Sequence, residues 1–305
     1  MSDKVSAFTR ELVDELARNH YSLRAWRTLL SRSWLRSLED MRKSPARTRS
    51  FWSWVIVIAA MGAGVIVLTL WMQTPERALT ALLLWLPWYA GTVFFVLTHL
   101  GMVDDSHGVA HQSLLLPNVL SFARLALAPL VLWPCLQIPV HPVTGPVFAL
   151  FLAALVLSDL VDGWVARRNQ QCTRLGRMLD VVADMALLTF LAIGLYLAGV
   201  IPGLLLLLLV VRYPVLLIAM LILSFARGPI SMRPTTIGKA TTFATSVVLL
   251  VLTFQTLLAA SWPTPESIEW SILFLYALIG VNILYLVYRG ATWEGHGANF
   301  GAHNR

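Results

Sequence analysis

Charged residues are scarce in this chain of 305 residues, at 13% of the total, whereas hydrophobic residues make up 57%. Soluble domains average about 25% charged residues, so this composition excludes the ordinary soluble classes. Cysteine is scarcer still: Cys135 and Cys172 are the only two, and they fit neither a disulfide framework nor a metal-binding spacing. What the chain does have is long apolar windows of about 20 residues, the length that a membrane-spanning helix requires.

Eight apolar windows are long enough to cross a membrane. The chain is therefore predicted to be an all-α, polytopic membrane protein with about eight transmembrane helices. The predicted spans cover about 52–72, 80–100, 117–136, 145–166, 176–199, 202–225, 237–260 and 267–288.

The first 50 residues are polar, basic and patterned as one or two amphipathic helices. Hydrophobic side chains such as Trp26, Leu30 and Trp34 recur among basic residues, which is typical of a helix that lies on the inner leaflet. A helix that binds a soluble partner is the alternative. Residues 289–305 are rich in glycine and are predicted to form a flexible tail.

Basic residues are distributed unevenly, and their positions predict the orientation of the chain. Eleven of the 23 Lys and Arg residues lie in residues 1–50, and further groups border the predicted cytoplasmic connections. Because positive residues concentrate on the cytoplasmic side, both termini are expected there, in a multi-pass protein of the inner membrane. The net charge of +7 is interpreted as attraction to anionic membrane lipids, and nucleic acid is not an expected partner.

One stretch between two apolar runs concentrates acidic residues. Asp159 and Asp162 share a helix face at i and i+3, and Asp180 and Asp184 share a face of the next helix at i and i+4. The polar residues from Arg167 to Arg174 can form the turn between the two helices. A helical hairpin would bring the four carboxylates to one depth, facing each other. Charge at the edge of a span is costly, so this stretch is interpreted as functional and expected on the cytoplasmic side.

Four carboxylates in such proximity require cations between them. Oxygen ligands select hard divalent ions such as Mg²⁺ or Mn²⁺, and four carboxylates suit a two-metal site that assists displacement at phosphorus. Gly163 and Ala166 leave room on the acidic face for a bulky diphosphate, and Arg167 offers a planar donor to phosphate oxygens. The alternative is an acidic proton or cation path in a transporter.

These residues resemble the signature of the CDP-alcohol phosphotransferases, D-x2-D-G-x2-A-R-x8-G-x3-D-x3-D. Every fixed position is matched, by Asp159, Asp162, Gly163, Ala166, Arg167, Gly176, Asp180 and Asp184. The resemblance covers about residues 112–288 and implies a six-helix core, in a homodimer, with a polar cavity open to the cytoplasm. Residues 51–101 would then form two accessory transmembrane helices outside that core.

The resemblance also implies roles for individual residues. Two metal ions would be held by Asp159, Asp162, Asp180 and Asp184. Asp184 would in addition be the general base that takes the proton from the acceptor hydroxyl. The CDP group of the donor would lie against Asn118, Gly163, Ala166, Arg167 and Gly176.

Two further patterns resemble parts of the same family. Residues 117–129 match the P-N-x-[LI]-[ST]-x-x-R-x-x-x-x-P opening of the first core helix. Residues 233–242 match R-P-[ST]-x-x-G-K-x-x-T, which resembles members with phosphorylated acceptors, notably phosphatidylglycerophosphate synthases. The candidate acceptor-binding residues are Arg124, Arg212, Arg233 and Lys239. The alternatives are a structural ion pair between Arg124 and an aspartate, and ordinary positive-inside anchoring by Arg233 and Lys239.

The expected reaction is transfer of a phosphatidyl group from CDP-diacylglycerol to a small alcohol, with release of CMP. Glycerol 3-phosphate is the first choice of acceptor. The extra arginines and the opening of the third span favour this reaction over transfer from CDP-choline or CDP-ethanolamine to diacylglycerol. A membrane cation transporter or an inactive scaffold is the alternative from a different class.

Overall fold

The computed structural model describes residues 22–72, 74–100, 113–132, 144–169, 171, 173–212, 236–258 and 265–291. Within these ranges the chain forms nine α-helices and no strand, which confirms the predicted all-α class. The helices are α1 (Leu23–Lys43), α2 (Pro45–Met72), α3 (Pro75–Thr98), α4 (Leu116–Leu127), α5 (Thr144–Arg168), α6 (Arg174–Leu197), α7 (Gly203–Val210), α8 (Thr236–Leu258) and α9 (Pro265–Ala291).

Six of these helices are long and apolar enough to cross a membrane, namely α2, α3, α5, α6, α8 and α9. Large hydrophobic side chains cover their outer faces: Ile56, Leu150 and Leu284 are 67%, 72% and 70% exposed. Such surfaces are stable against lipid and not against water. The chain is therefore a polytopic membrane protein. α4 and α7 lie in the third and sixth predicted spans and are shorter.

The third predicted span changes its helical form at a proline. α4 ends at Leu127, and the chain continues as a 3₁₀ turn, Ala128–Val131. Pro129 has no N–H and cannot continue the α-helical hydrogen-bond pattern. The window of about 117–136 is therefore not one continuous α-helix within its described part, and residues 133–143 lie outside the described ranges.

α4 and α6 form the inner layer of the protein. The contacts of α4 with α6 and with α5 are the two most extensive helix–helix contacts in the described chain. One hydrophobic cluster contains residues of α2, α3, α4, α5 and α6, such as Phe122 and Leu179. A second cluster contains residues of α6, α7, α8 and α9, such as Leu195 and Leu275. α6 belongs to both clusters. It is also the most enclosed span, with 44% of its most apolar window buried against 17% for α9.

The N-terminal helices pack onto this layer. α2 and α3 contact each other and α4, and α1 contacts α2 and α3. The ring of Trp34 on α1 stacks on Phe94 of α3 with 5.3 Å between centroids. α2 already begins at Pro45, within the segment 1–50 that was predicted as a surface element, and α9 continues to Ala291. The predicted domain boundaries stay predictions.

Candidate active site

The signature aspartates lie on the last three turns of α5 and the first three turns of α6. Carboxylate oxygens of Asp159, Asp162 and Asp180 lie within 4.8 Å of one another. Asp184 joins them through Arg124, whose Nη2 is 3.3 Å from Asp184 Oδ1. The Asp162 side chain is 6% exposed, whereas those of Asp159, Asp180 and Asp184 are 41%, 46% and 47% exposed. Three of the four carboxylates are therefore accessible to an ion or a substrate.

Arg124 of α4 lies in the middle of this acidic cluster. Its side chain is fully buried; Nη1 lies 2.8 Å from Asp159 and 3.5 Å from Asp162, and Nη2 lies 2.6 Å from Asp180. The contact with Asp180 is a hydrogen bond, whereas Nη1 approaches Asp159 without hydrogen-bond alignment. A buried guanidinium is stable only with such anionic partners. This geometry corresponds to the ion-pair alternative for Arg124, and its role toward an acceptor stays a prediction.

Ser121, one turn before Arg124, contacts the buried aspartate. Its hydroxyl lies 3.0 Å from Asp162 Oδ2 and 3.2 Å from the carbonyl of Pro117, and it donates its single hydrogen to one of them at a time. α4 therefore contacts the acidic cluster at two places, through Ser121 and through Arg124.

Side chains also connect the N-terminal ends of α4 and α6. Thr173 is the N-cap of α6: its Oγ1 accepts the N–H of Gly176 and donates to Asn118 Oδ1, both at 2.9 Å. A Cβ at Gly176 would lie 2.5 Å from Asn118 Oδ1 and 3.1 Å from Thr173 Oγ1, so only glycine allows this approach. The Nδ2 of Asn118 is buried and has no hydrogen-bond partner among the described residues, which leaves a donor for a ligand.

A cavity of about 160 Å³ opens beside the acidic cluster. It is bounded by the first turns of α4 and α6, the last turns of α5 and the connection between α5 and α6. All five residues predicted to contact the CDP group line it, namely Asn118, Gly163, Ala166, Arg167 and Gly176. Asp162 and Asp180 line the same cavity. The residues predicted for the nucleotide and for the metal therefore face one space, and their roles stay predictions.

The predicted acceptor-binding residues on other helices lie apart from this cavity. Arg212 follows α7, is buried, and donates from Nη2 to Thr242 Oγ1 at 3.2 Å and to the carbonyl of Gly238 at 3.5 Å. Both partners belong to the first turns of α8, where Lys239 is exposed. The described residues that line the cavity come from neither α7 nor α8. Arg233 lies outside the described residues.

Five residues that line the cavity had no predicted role in the site: Pro117, Ser121, Gln171, Thr173 and Arg177. Ser121 occupies the [ST] position of the span-3 pattern, and Thr173 directly precedes a helix, where threonine is a common N-cap. The sequence therefore contains a signal for each of these two residues. It contains no signal for the contact between Thr173 and Asn118, because the two residues are 55 positions apart.

The ligand atoms of the cluster suit a hard divalent cation. They are carboxylate oxygens only, three of them lie within 4.8 Å of one another, and hard ions such as Mg²⁺ and Mn²⁺ prefer such ligands. One guanidinium contacts four carboxylates, so negative charge exceeds positive charge among these side chains. The acidic cluster could therefore hold a metal ion.

Comparisons with known proteins match the segment of the chain that contains this site. A family model described as CDP-alcohol phosphatidyltransferase matches residues 114–283. The cardiolipin synthase (CMP-forming) of Streptomyces coelicolor is 38% identical over 142 residues, which cover 46% of this chain and 66% of that relative. A Mycobacterium tuberculosis protein provisionally named as a cardiolipin synthase is 33% identical over 185 residues, 58% of this chain and 83% of the relative.

A relative with a different name matches a shorter segment. The CDP-diacylglycerol–glycerol-3-phosphate 3-phosphatidyltransferase of Aquifex aeolicus is 44% identical over 68 residues, 22% of this chain and 35% of the relative. No solved structure matches the chain. The segment matched by the family model covers more than half of the chain and contains Arg124 and the four aspartates. The chain therefore belongs to the CDP-alcohol phosphatidyltransferase family and is an enzyme of that class.

Proposed function

We propose that this enzyme transfers a phosphatidyl group from CDP-diacylglycerol to a hydroxyl of a glycerol that already carries a phosphate, and releases CMP. The observation that carries the proposal is the cluster of four aspartates around Arg124, beside a cavity lined by the remaining signature residues. This arrangement combines a binding space for a diphosphate with a group of carboxylates suited to cations.

The cavity has the groups that the CDP end of the donor requires. Arg167 and Arg177 border it and can donate to diphosphate oxygens. The buried Nδ2 of Asn118 is a further donor. Gly163 and Ala166 present little side-chain bulk on this side of α5, so the diphosphate can approach the helix backbone.

The aspartates would hold two divalent ions, Mg²⁺ or Mn²⁺. Asp159, Asp162 and Asp180 form the group whose oxygens lie closest together, and Asp184 adds a fourth carboxylate on the other side of Arg124. When bound, such ions neutralise the donor diphosphate and stabilise the leaving CMP.

Asp184 is the proposed general base. Its carboxylate lies 3.3 Å from Arg124 Nη2. Because its side chain is 47% exposed, an acceptor hydroxyl can approach it. Asp184 takes the hydroxyl proton, and the acceptor oxygen attacks the phosphorus that carries the diacylglycerol. The bond from that phosphorus to the bridging oxygen breaks, and CMP leaves with that oxygen.

The names of the relatives support phosphatidylglycerol as the acceptor. The two relatives with the longer alignments are named as cardiolipin synthases, and one name specifies that CMP is formed. Transfer of a phosphatidyl group to phosphatidylglycerol yields cardiolipin and CMP. We therefore place this reaction first for the present chain.

Glycerol 3-phosphate, the first choice from the sequence, is the second candidate. It is the acceptor in the name of the Aquifex aeolicus relative. Both candidates present a primary hydroxyl on a glycerol that is phosphorylated at another carbon. The same base and the same donor site would serve either acceptor, and CMP release with each acceptor distinguishes them.

We further propose that the site faces the cytoplasm, in the inner membrane, and that the enzyme is a homodimer. The excess of Lys and Arg in the first 50 residues supports the orientation. The family resemblance supports the dimer, which is measurable by the mass of the protein–detergent complex.

The function is tested with the purified protein and CDP-diacylglycerol carrying a labelled cytidine. CMP release is measured with phosphatidylglycerol, with glycerol 3-phosphate and without acceptor, in Mg²⁺, in Mn²⁺ and in EDTA. We expect metal-dependent CMP release with formation of cardiolipin. Release from CDP-choline with diacylglycerol, together with none from CDP-diacylglycerol, would overturn the proposal.

Matched variants locate the activity. Asp162→Asn and Asp180→Asn each remove one charge from the cluster without changing side-chain size and should reduce CMP release by more than about 100-fold. Glu76→Gln removes a charge from an exposed residue at the start of α3 and should leave the rate unchanged. Rates like the wild type in both aspartate variants would refute the metal assignment.

A further inference from the structure

The C-terminal end of α4 lies inside the protein, where its last carbonyl groups need hydrogen-bond donors. The last four carbonyls of an α-helix have no partner within the helix. Pro129 also removes the N–H that would reach the carbonyl of Leu125 from four residues further on. The flanking residues Ala128 and Leu132 keep right-handed helical angles, with φ/ψ of −51°/−42° and −62°/−36°. The missing donor is thus a consequence of the proline and not of a change in chain direction.

Two tryptophans of the accessory helix α3 supply the donors. The indole Nε1 of Trp88 donates to the carbonyl of Leu125 at 2.8 Å, and that of Trp85 donates to the carbonyl of Ala126 at 3.0 Å. An unpaired carbonyl at membrane depth is costly because no water is present to replace the donor. α3 ends at Thr98 and precedes the segment that the family model matches.

The Trp85 indole is held by α2 and by its own helix. Trp85 is 4% exposed and stacks on Tyr89 with 5.0 Å between centroids. The hydroxyl of Tyr89 donates to the carbonyl of Val55 on α2. Gly62 of α2 faces the Trp85 ring so closely that a Cβ there would overlap it. The Trp85 ring is therefore closely packed by residues of α2 and α3 while its N–H binds α4.

The Trp88 indole is held between α4 and α6. Its ring meets Phe190 of α6 edge to face, with 4.9 Å between centroids. Trp88 thus touches the helix that carries Arg124 and the helix that carries Asp180 and Asp184. The carbonyl that it caps belongs to Leu125, the residue that directly follows Arg124.

We infer that Trp88 and Trp85 are positioning residues: by capping the end of α4, they hold Arg124 in register with the four aspartates. The accessory helices α2 and α3 are then a functional part of the enzyme. The inference rests on the proposed catalytic role of the acidic cluster.

The first test removes the indole N–H and keeps an aromatic ring. Trp88→Phe and Trp85→Phe are assayed in the full-length protein with CDP-diacylglycerol and phosphatidylglycerol, with Trp71→Phe as control. Trp71 lies on α2 and is 79% exposed. We expect kcat to fall roughly fivefold to tenfold in each of the first two variants, the effect of losing about one buried hydrogen bond. The KM for CDP-diacylglycerol should stay within about twofold of the wild type, because Asn118 and the cavity lie at the other end of α4.

The second test restores the missing backbone donor. In a Pro129→Ala background, residue 129 regains an N–H that can reach the Leu125 carbonyl, so the Trp88 donor becomes redundant. The ratio of kcat for Trp88→Phe/Pro129→Ala to that for Pro129→Ala alone should lie within about twofold of unity, against the larger loss in the native background. A merely structural loss of ring contacts with Phe190 would not be rescued in this way.

Each outcome decides the inference. If Trp88→Phe fails to fold but folds when Pro129→Ala is added, the capping role is supported. If the double variant also fails to fold, or folds without rescue of kcat, or if Trp71→Phe loses as much activity, the inference is overturned. An unchanged kcat in Trp88→Phe with an active wild type would overturn this inference alone. Absence of CMP release by the wild type would refute the proposed function instead.

Discussion

At the scale of single residues, Arg124 is the most unusual group of the protein. It is a fully buried cation, and all four signature carboxylates lie within 3.5 Å of its guanidinium nitrogens. A buried charge is tolerated only when anions or oriented dipoles compensate it. Arg124 therefore acts as a counter-charge for the acidic cluster. Its removal should lower the stability of the protein most when no other cation is bound.

The substitution Arg124→Gln tests this role. Without its guanidinium, the cluster keeps four carboxylates and no facing cation, so we expect the metal-free protein to lose roughly 1–3 kcal/mol of stability. Added Mg²⁺ should recover part of this loss because a divalent ion replaces the missing charge. Thermal unfolding in EDTA and in Mg²⁺ measures both effects, with the exposed Arg77→Gln as control. A loss that is the same in EDTA and in Mg²⁺ would contradict the counter-charge role.

Gly176→Ala tests the close approach of α4 to α6. The new Cβ would lie 2.5 Å from Asn118 Oδ1, so either Asn118 or the N-cap Thr173 must move. We expect a lower transition temperature and a higher KM for CDP-diacylglycerol, measured by thermal unfolding and steady-state kinetics. Gly64→Ala on α2 is the matched control, because no atom lies within 4 Å of its Cβ position. That control should be stabilised by about 0.5–1 kcal/mol, as for any exposed helical glycine. Equal effects of the two substitutions would rule out the packing explanation.

Lys239→Ala and Arg233→Ala test the acceptor site that the sequence predicts. Both residues are cations near the start of α8 in the sequence, and Lys239 is exposed in the structure. If they bind the acceptor phosphate, the KM for the acceptor should rise several-fold while the KM for CDP-diacylglycerol changes little. Varying each substrate separately separates the two effects, with Arg27→Ala on α1 as control. An effect on the donor alone would argue against this site.

At the scale of helices, α4 is the element that connects the parts of the candidate active site. The hairpin of α5 and α6 supplies the aspartates, and α4 contacts both helices and places Arg124 and Ser121 among them. The cap on α6 depends on the same helix, since Thr173 donates to Asn118. α4 is too short to span a membrane unaided, so its position depends on the helices around it.

Deleting residues 1–43 tests the role of α1. The deletion stops before Pro45, where α2 begins, and removes the stacking of Trp34 on Phe94. Because α1 contacts α2 and α3 and not the cavity, we expect lower stability and weaker binding to anionic vesicles, with turnover per folded molecule within about twofold of the wild type. The substitution Trp34→Ala in the full chain separates the packing contribution from the charge. A well-folded truncated protein without activity would mean that this segment belongs to the active site.

At the scale of the whole molecule, the charge pattern and the helix order predict an orientation. Thr74, between α2 and α3, and Asn169, after α5, are both exposed and are predicted to lie on opposite sides of the membrane. With Cys135 and Cys172 replaced by serine, Thr74→Cys should react with an impermeant maleimide in intact spheroplasts of a bacterial host. Asn169→Cys should react only after permeabilisation. The reverse pattern would place the acidic cluster on the outer side.

The sequence was sufficient for the all-α membrane class, for the six described helices that are long enough to cross a membrane, and for the grouping of the four aspartates. These properties are local: a membrane span needs a run of apolar residues, and a hairpin with aspartates at i, i+3 and i, i+4 brings the carboxylates together wherever it occurs. The proposed metal ligands and donor-site residues were named from the resemblance of this stretch to the CDP-alcohol phosphotransferase signature, and their roles stay predictions. Pro129, which interrupts the α-helix of the third span, is visible in the sequence. The interruption itself was not predicted.

The contacts that complete the site join residues far apart in the chain, and no pattern of neighbouring residues encodes them. The ion pairs of Arg124 connect residues 56 positions apart in the case of Asp180, and the indole of Trp88 reaches a carbonyl 37 positions away. Such pairs form only after the helices have packed, because the buried guanidinium and the orphaned carbonyl each require a partner that their own helix lacks. Packing thus places Arg124, a predicted acceptor-binding residue, among the four aspartates and brings α2 and α3 into contact with α4.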